Sequence, residues 1–240
     1  MALLQLSLTA LPDEMGEARP AAGAIVDTLR EAIIRGTLVP GERVRQDALA
    51  TRFGVSQMIV REAFKQLVIE GFLKAEPRRG VAVAPLSPDD AWEMTELRSL
   101  IEPKALEWAM PRLGRAELDK AARIAAELDK ARSIDRIIAL NARFHETLYG
   151  PARQERTLRM IATIRLNFER YLRFAWEETE HLRQSQQEHK DLVALCVAGN
   201  AEAATALLRQ HILATGTLLV ERLRQIAPQA TLLGPMTKLV

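Results

Sequence analysis

The chain has 240 residues, 48% apolar and only 5% aromatic, with a formal net charge of +2. That is room for one large domain or two small ones, each with a full core, and too little charge to make the whole molecule a polyanion binder. A single cysteine, Cys196, excludes an internal disulfide framework and fits a reducing compartment. No apolar run approaches the roughly 18 residues of a membrane span. The N-terminal Asp13, Glu14 and Glu17 do not suit the basic start of a secretion signal, so the expected location is the cytoplasm.

Charge is distributed unevenly. Residues 23–85 hold ten Lys/Arg against seven Asp/Glu, an excess of three, whereas residues 86–240 hold twenty-two against twenty-one. The basic excess therefore sits near the N-terminus.

Residues 1–22 lack periodicity and read as a mobile tail. A first helix is expected from about Ile25 to Arg35, with Ile25, Leu29, Ala32 and Ile33 inward and Gly36 as its stop. Val39-Pro40-Gly41-Glu42 reads as a turn. A second helix packs through Leu49, Ala50 and Phe53, and Gly54 closes it with a positive φ. Ser56 caps a third helix, whose Val60, Phe64 and Leu67 form an apolar stripe. Its opposite face shows Gln57, Met58, Arg61 and Lys65. A helix presenting amide and guanidinium groups on one face suits a DNA major groove. Leu73 and Ala75 alternate with polar residues, and Val81 and Val83 with alanines, so two short strands around Pro77–Gly80 make a wing. Residues 23–85 are thus a winged helix–turn–helix by expectation. Arg78 and Arg79 would approach phosphates or a minor groove, with Gly80 allowing close backbone approach. Arg43 and Arg45 read equally well as phosphate contacts or as ordinary surface residues.

Pro85-Leu86 reads as a linker. Ser87-Pro88-Asp89-Asp90 then starts a new helix, with a serine cap, a proline at the first helical position and acids in the first turn. Leu97, Leu100, Ile101, Ala105 and Trp108 read as its apolar stripe. Further helices are expected over about 116–131, 133–149, 154–177, 180–198 and 201–226, punctuated by Pro111, Gly114, Gly150-Pro151 and Gly199-Asn200. The fold class is mainly α: an N-terminal winged helix–turn–helix and an all-helical antiparallel bundle of about six helices over 86–226. Residues 227–240 read as a C-terminal tail.

The ordered motifs resemble two known modules. Gly36 to Val44, Leu49-Ala50, Gly54-Val55-Ser56, Val60-Arg61-Glu62-Ala63, Leu67, Glu70-Gly71 and Arg79-Gly80-Val81 resemble the winged helix of GntR-type transcription regulators. Glu96-Leu97-Arg98 with Glu102, Asn141 to His145, Glu188-His189, and Gly199-Asn200 with His211 resemble the FCD effector domain of the FadR-like branch. The resemblance spans roughly residues 25–222. It implies a homodimeric repressor or activator that is released from, or locked onto, a near-palindromic operator by a small acid.

Read by themselves, the four histidines (His145, His181, His189 and His211) are scattered enough to be surface or capped core residues. Through the resemblance, His145, His189 and His211 become ligands of a divalent metal ion of the Zn, Ni or Mn class. Asn141 stands where the family has an aspartate, and a neutral carbonyl oxygen is a poorer ligand, so the expectation is either a lower metal affinity or a site that binds its effector without metal. His181 matches nothing and reads as surface. Arg98 is implied at the pocket that receives the effector carboxylate, and Arg165 is a second candidate, because a guanidinium fork donates two parallel hydrogen bonds. The alternative for Arg98 is an i,i+4 ion pair with Glu102. Tyr171 and Trp176 read as core.

The family's usual Ser-Arg-Thr-Pro-Val-Arg-Glu-Ala-Leu is here Ser56-Gln57-Met58-Ile59-Val60-Arg61-Glu62-Ala63-Phe64. Arg61 is kept; the first arginine, the threonine and the proline are not, which shifts the expected operator preference toward A·T at one position. No nucleophile-plus-base arrangement is visible, so the chain is read as a non-enzyme. The competing readings are a three-histidine metalloenzyme and an architectural DNA-binding protein without an effector.

Overall fold

The computed structural model describes residues 22–175 and 180–233. The chain divides between Leu86 and Ser87 into two compact units.

In the first unit, α1 (Ala22–Ile34) buries Ile25, Val26, Leu29, Ala32, Ile33 and Ile34. It packs against α3 (Gln57–Ile69), which buries Val60, Ala63, Phe64 and Leu67. Between them in sequence lies α2 (Gln46–Arg52), with Leu49 and Ala50 buried. Gly54 has φ +63, and this left-handed residue lets the Val55 N–H reach the Ala50 carbonyl at 3.0 Å and close α2. Ser56 then caps α3, its hydroxyl accepting from the Ile59 N–H. This pair of local rules fixes the tight turn between the two helices.

The sheet has three antiparallel strands in the order β1 (Arg43–Val44), β3 (Gly80–Val83), β2 (Leu73–Glu76). Leu73 faces Val83 and Glu76 faces Gly80 across the wing, while Arg43 faces Ala82 on the other side. β1 was not expected from the sequence. Two residues are too few to show a period, and only long-range pairing makes them a strand. Ala75, expected to share the inner face with Leu73, is exposed, because only the inner end of β2 is covered by the core.

The second unit is helical: α4 (Pro88–Ala109), a 3₁₀ turn at Met110–Arg112, α5 (Arg115–Leu128), α6 (Ile134–Tyr149), a second 3₁₀ turn at Gly150–Ala152, α7 (Glu155–Ala175), α8 (Glu180–Val197) and α9 (Ala201–Leu233). α9 runs on to Leu233, through the first part of the segment expected to lose periodicity after residue 226. Residues 1–21 of the expected N-terminal tail and Trp176 lie outside the described residues, as does the side chain of His181. The apolar core gathers Leu106, Phe144, Leu148, Leu192 and Leu208 from four different helices.

α4 buries only part of its expected stripe: Ala105 is inward, and Ile101 and Trp108 pack against the core. Leu97 and Leu100 are exposed, at 42% and 60%, so they do not form the inward stripe. The face turned inward carries Ala91, Thr95, Arg98, Ser99, Glu102, Ala105, Leu106 and Ala109. Apolar periodicity failed here because the buried face holds a charged network whose members satisfy one another. α4 lies against α9, and Gly216 permits the close approach: a Cβ there would fall 2.1 Å from Thr95 Cγ2.

Candidate metal centre and nucleic-acid interface

His145 on α6, His189 on α8 and His211 on α9 meet in the bundle interior. One ring nitrogen from each lies within 4.8 Å of the others, and all three residues are buried. Their ring centroids are 4.8–5.5 Å apart, and Phe144 packs on His189 at 4.5 Å. Both ring nitrogens of His145 and both of His189 are buried without a hydrogen-bond partner, a costly state for polar atoms. Burial drives both imidazoles well below their ordinary pKa, and the positive charge of Arg165 and the neighbouring rings add to the effect. The rings are therefore held neutral, the form that ligates a cation.

His211 is oriented differently. Its Nδ1 lies 2.7 Å from Glu188 Oε2, and Glu188 in turn accepts from Gln184 Nε2 at 3.0 Å. A proton on Nδ1 leaves Nε2 as the free lone pair. Asn141 sits one helical turn before His145 and is half-buried; its main-chain carbonyl accepts from Arg165 Nη2 at 3.2 Å.

A second buried cluster adjoins the first, with the Tyr149 ring 5.9 Å from that of His145. Tyr149 donates a short hydrogen bond to Glu102. Arg98 Nε meets Glu102 Oε1 at 2.7 Å, and Arg165 Nη1 meets the Tyr149 hydroxyl at 2.9 Å and Glu102 Oε2 at 3.7 Å. The Arg98 guanidinium also lies 4.4 Å from the Phe168 ring centroid. Burial works against the Glu102 carboxylate, but Arg98 and Arg165 outweigh it and hold its pKa below the usual range. Burial raises the Tyr149 hydroxyl well above its ordinary range, and the charge of Glu102 pushes it the same way. Arg98 thus forms the ion pair with Glu102 that the sequence left as its alternative. Arg165, 24 residues beyond Asn141, joins the same carboxylate.

On the first unit, Gln57, Met58, Arg61 and Lys65 all lie on the exposed face of α3, with Met58 74% exposed. A groove of about 950 Å³ separates this face from the wing and is lined by Arg43, Arg45, Gln57, Arg61, Lys65 and Arg79, among others. Arg45 pairs with Asp47 and Lys65 with Glu62, each at 2.6 Å. These are exposed pairs of small net worth. Arg78 and Arg79 stand exposed at the wing's tip, with Arg78 itself left-handed at φ 62 and Gly80 at φ 87. Ser56 serves as the helix cap.

Residues 21–83 match the family described as bacterial regulatory proteins, gntR family, and residues 93–214 match the FCD domain. The chain belongs to the GntR family, in its FCD-bearing branch. It is a DNA-binding transcription regulator. This GntR regulator is 30% identical over 192 residues to the HTH-type transcriptional regulator YdhC of Bacillus subtilis strain 168, covering 78% of this chain and 83% of that one. It is 29% identical over 197 residues to the galactonate operon transcriptional repressor of Escherichia coli K12, covering 70% of this chain and 83% of the relative. A solved GntR-family regulator from Pseudomonas syringae pv. tomato DC3000 superposes with a TM-score of 0.52 at 32% identity, over 92% of this chain and 96% of that one. GntR-type regulators bind operator DNA and are often dimeric. Among the described residues, no helix is long and apolar enough to cross a membrane.

Glu188 and Tyr149 were not assigned roles from the sequence. Glu188 adjoins His189, but its bond to His211 spans two helices and has no local signature. Tyr149 reads as an ordinary core aromatic until Glu102 is brought beside it.

Proposed function

We propose that this regulator is a homodimeric, cytoplasmic repressor that binds a near-palindromic operator and senses a small carboxylate through a divalent metal in its bundle. One observation carries the sensing half: four buried ring nitrogens, two each on His145 and His189, lack any hydrogen-bond partner beside a third histidine already oriented by Glu188. Such a donor set fits a cation and fits nothing apolar. His145, His189 and His211 would hold the ion, with Asn141 as a weak fourth candidate, and the all-nitrogen set favours Zn or Ni over Mn. When bound, the ion supplies a Lewis-acidic position for an effector carboxylate.

Arg98 and Arg165 share the buried carboxylate of Glu102, with Glu169 adding attraction on Arg165. An effector carboxylate that displaced Glu102 from one of them would find a guanidinium beside the histidines. The named galactonate repressor among the relatives supports the same class, a small organic acid. The exposed α3 face and the wing supply the DNA half, and two copies placed on successive major grooves require a two-fold site. The relatives' names as regulators and repressors support a binding protein over a metalloenzyme.

The test is a thermal-shift screen of small carboxylates on chelator-treated protein, with and without added Zn(II), Ni(II) or Mn(II). Ligands of the folded state raise its melting temperature as their concentration exceeds Kd. The expected result is a carboxylate shift that requires metal and is lost in His189→Ala, with operator binding retained. A metal-independent carboxylate shift in both proteins would remove the metal from the proposal, and the absence of any shift would remove the sensor.

A further inference from the structure

Gln46 is the first residue of α2 and Gln57 the first of α3. Both side chains line the groove between α3 and the wing. Gln46 is half-buried and Gln57 is exposed. The Gln46 amide nitrogen donates to the main-chain carbonyl of Gln57 at 3.0 Å and, more weakly, to its side-chain Oε1 at 3.5 Å. An NH₂ group carries two hydrogens, so one amide serves both acceptors.

This bridge matters because the Gln57 amide offers opposite chemistry by orientation. With Nε2 outward it donates; with Oε1 outward it accepts. An unrestrained amide at a helix start samples both and discriminates little. A neighbour that only donates toward it fixes one orientation, and the main-chain bond anchors that neighbour to the same residue.

We propose that Gln46 is the positioning residue for base recognition by Gln57. It occupies one lone pair of Oε1 and so fixes which way round the amide plane lies, leaving Nε2 to donate to adenine N7 and the other lone pair of Oε1 to accept from adenine N6 beside it. This rests on the reading that α3 enters a major groove with Gln57 toward the bases. The consequence is a preference set by a residue on the other helix of the motif. Replacing Gln46 with an acceptor changes it: a carboxylate takes the Nε2 of Gln57, removes the donor to N7 and leaves Oε1 outward, where cytosine N4 serves as well as adenine N6.

The experiment selects sites from random duplex DNA with the full-length wild type, Gln57→Ala, Gln46→Leu and Gln46→Glu. Affinities are then measured on duplexes carrying each of the four base pairs at the selected position. The wild type should prefer adenine there by about fivefold or more. Gln57→Ala and Gln46→Leu should both flatten that preference at the same position, and Gln46→Glu should raise cytosine to the level of adenine, with guanine and thymine disfavoured. If Gln57→Ala flattens the preference while both Gln46 variants keep it, the positioning role is overturned and base reading by Gln57 stands. If Gln46→Leu weakens binding to all four duplexes equally with the preference intact, Gln46 is only structural and the proposal falls. If Gln57→Ala itself retains the preference, base reading by Gln57 fails and the proposal fails with it.

Discussion

His211 Nδ1 and Glu188 Oε2 are 2.7 Å apart, and both residues are buried. A carboxylate behind an imidazole fixes the tautomer, orients the ring and raises the basicity of the opposite nitrogen. His145 and His189 have no such partner among the described residues, so Glu188 is the group that gives the histidine cluster its direction. Glu188→Gln keeps the shape but weakens this support. It should lower affinity for Zn(II) by about 10–100-fold, measured by competition against a chromogenic chelator, with operator affinity of the metal-free protein unchanged. Equal metal affinity in the two proteins would show that Glu188 serves packing alone.

Glu102 is wholly buried between Arg98, Arg165 and the Tyr149 hydroxyl. Removing one member of such a network leaves charges uncompensated in a poorly solvated site. Glu102→Gln should destabilise the helical unit by about 3 kcal/mol or more, read as a lower urea midpoint. Replacement of the exposed Glu107, which pairs with Lys104 at 2.9 Å, should change stability by under about 1 kcal/mol. Similar effects at the two positions would contradict the buried network.

The two halves of the chain were legible in the sequence to different depths. The helix–turn–helix obeys local rules: Gly54 closes one helix, Ser56 caps the next, and Val60, Phe64 and Leu67 keep a helical period. Each signal lies within a few residues of its consequence. α4 does not work this way. Its buried face holds Thr95, Arg98, Ser99 and Glu102 and its exposed face holds Leu97 and Leu100, so a reading by hydrophobicity found Ile101, Ala105 and Trp108 but missed the polar half of the inward face. The information that explains this polar half, Tyr149 and Arg165 closing on Glu102, comes from α6 and α7. The histidines became a cluster only through the family resemblance, since their meeting depends on three helices. β1 depends likewise on pairing between residues about 40 positions apart.

Gly216 sets how close α9, the helix that carries His211, comes to α4. A Cβ would lie 2.1 Å from Thr95 Cγ2 and 2.3 Å from Thr95 Oγ1. Thr95 cannot simply rotate away, because its hydroxyl donates to the Ala91 carbonyl at 2.7 Å within a buried face. Gly216→Ala gains helix propensity but overpacks the crossing, and overpacking wins. The expected loss is about 1–3 kcal/mol by urea denaturation. Adding Thr95→Ala removes two of the three clashing atoms and should recover part of it, a non-additive pair. A stabilised Gly216→Ala variant would mean that the crossing has slack.

Acid should unfold the metal-free helical unit early, and the sign follows from the two unpartnered histidines. In the folded chain burial, then nearby positive charge, holds His145 and His189 well below the ordinary value of 6.5. In the unfolded chain both titrate near that value. At pH 8 neither state is protonated at these residues, so they add no pH dependence. As pH falls through 6.5 the unfolded chain binds protons that the folded chain refuses, and stability drops until the folded-state pKa values are reached. Each residue contributes a slope of up to about 1.4 kcal/mol per pH unit. Chelator-treated protein should therefore show a nearly level melting temperature from pH 8 to 7 and a steep decline from pH 6.5 to 5. His189→Phe should lessen that decline, because it removes one of the two groups and keeps an aromatic ring against Phe144. Bound metal should raise the whole curve at pH 7 and lose its effect toward pH 5, since protons then compete for the same nitrogens. A melting temperature level down to pH 5 in the metal-free protein would mean that the two rings are solvated, and the closed histidine cluster would have to be abandoned.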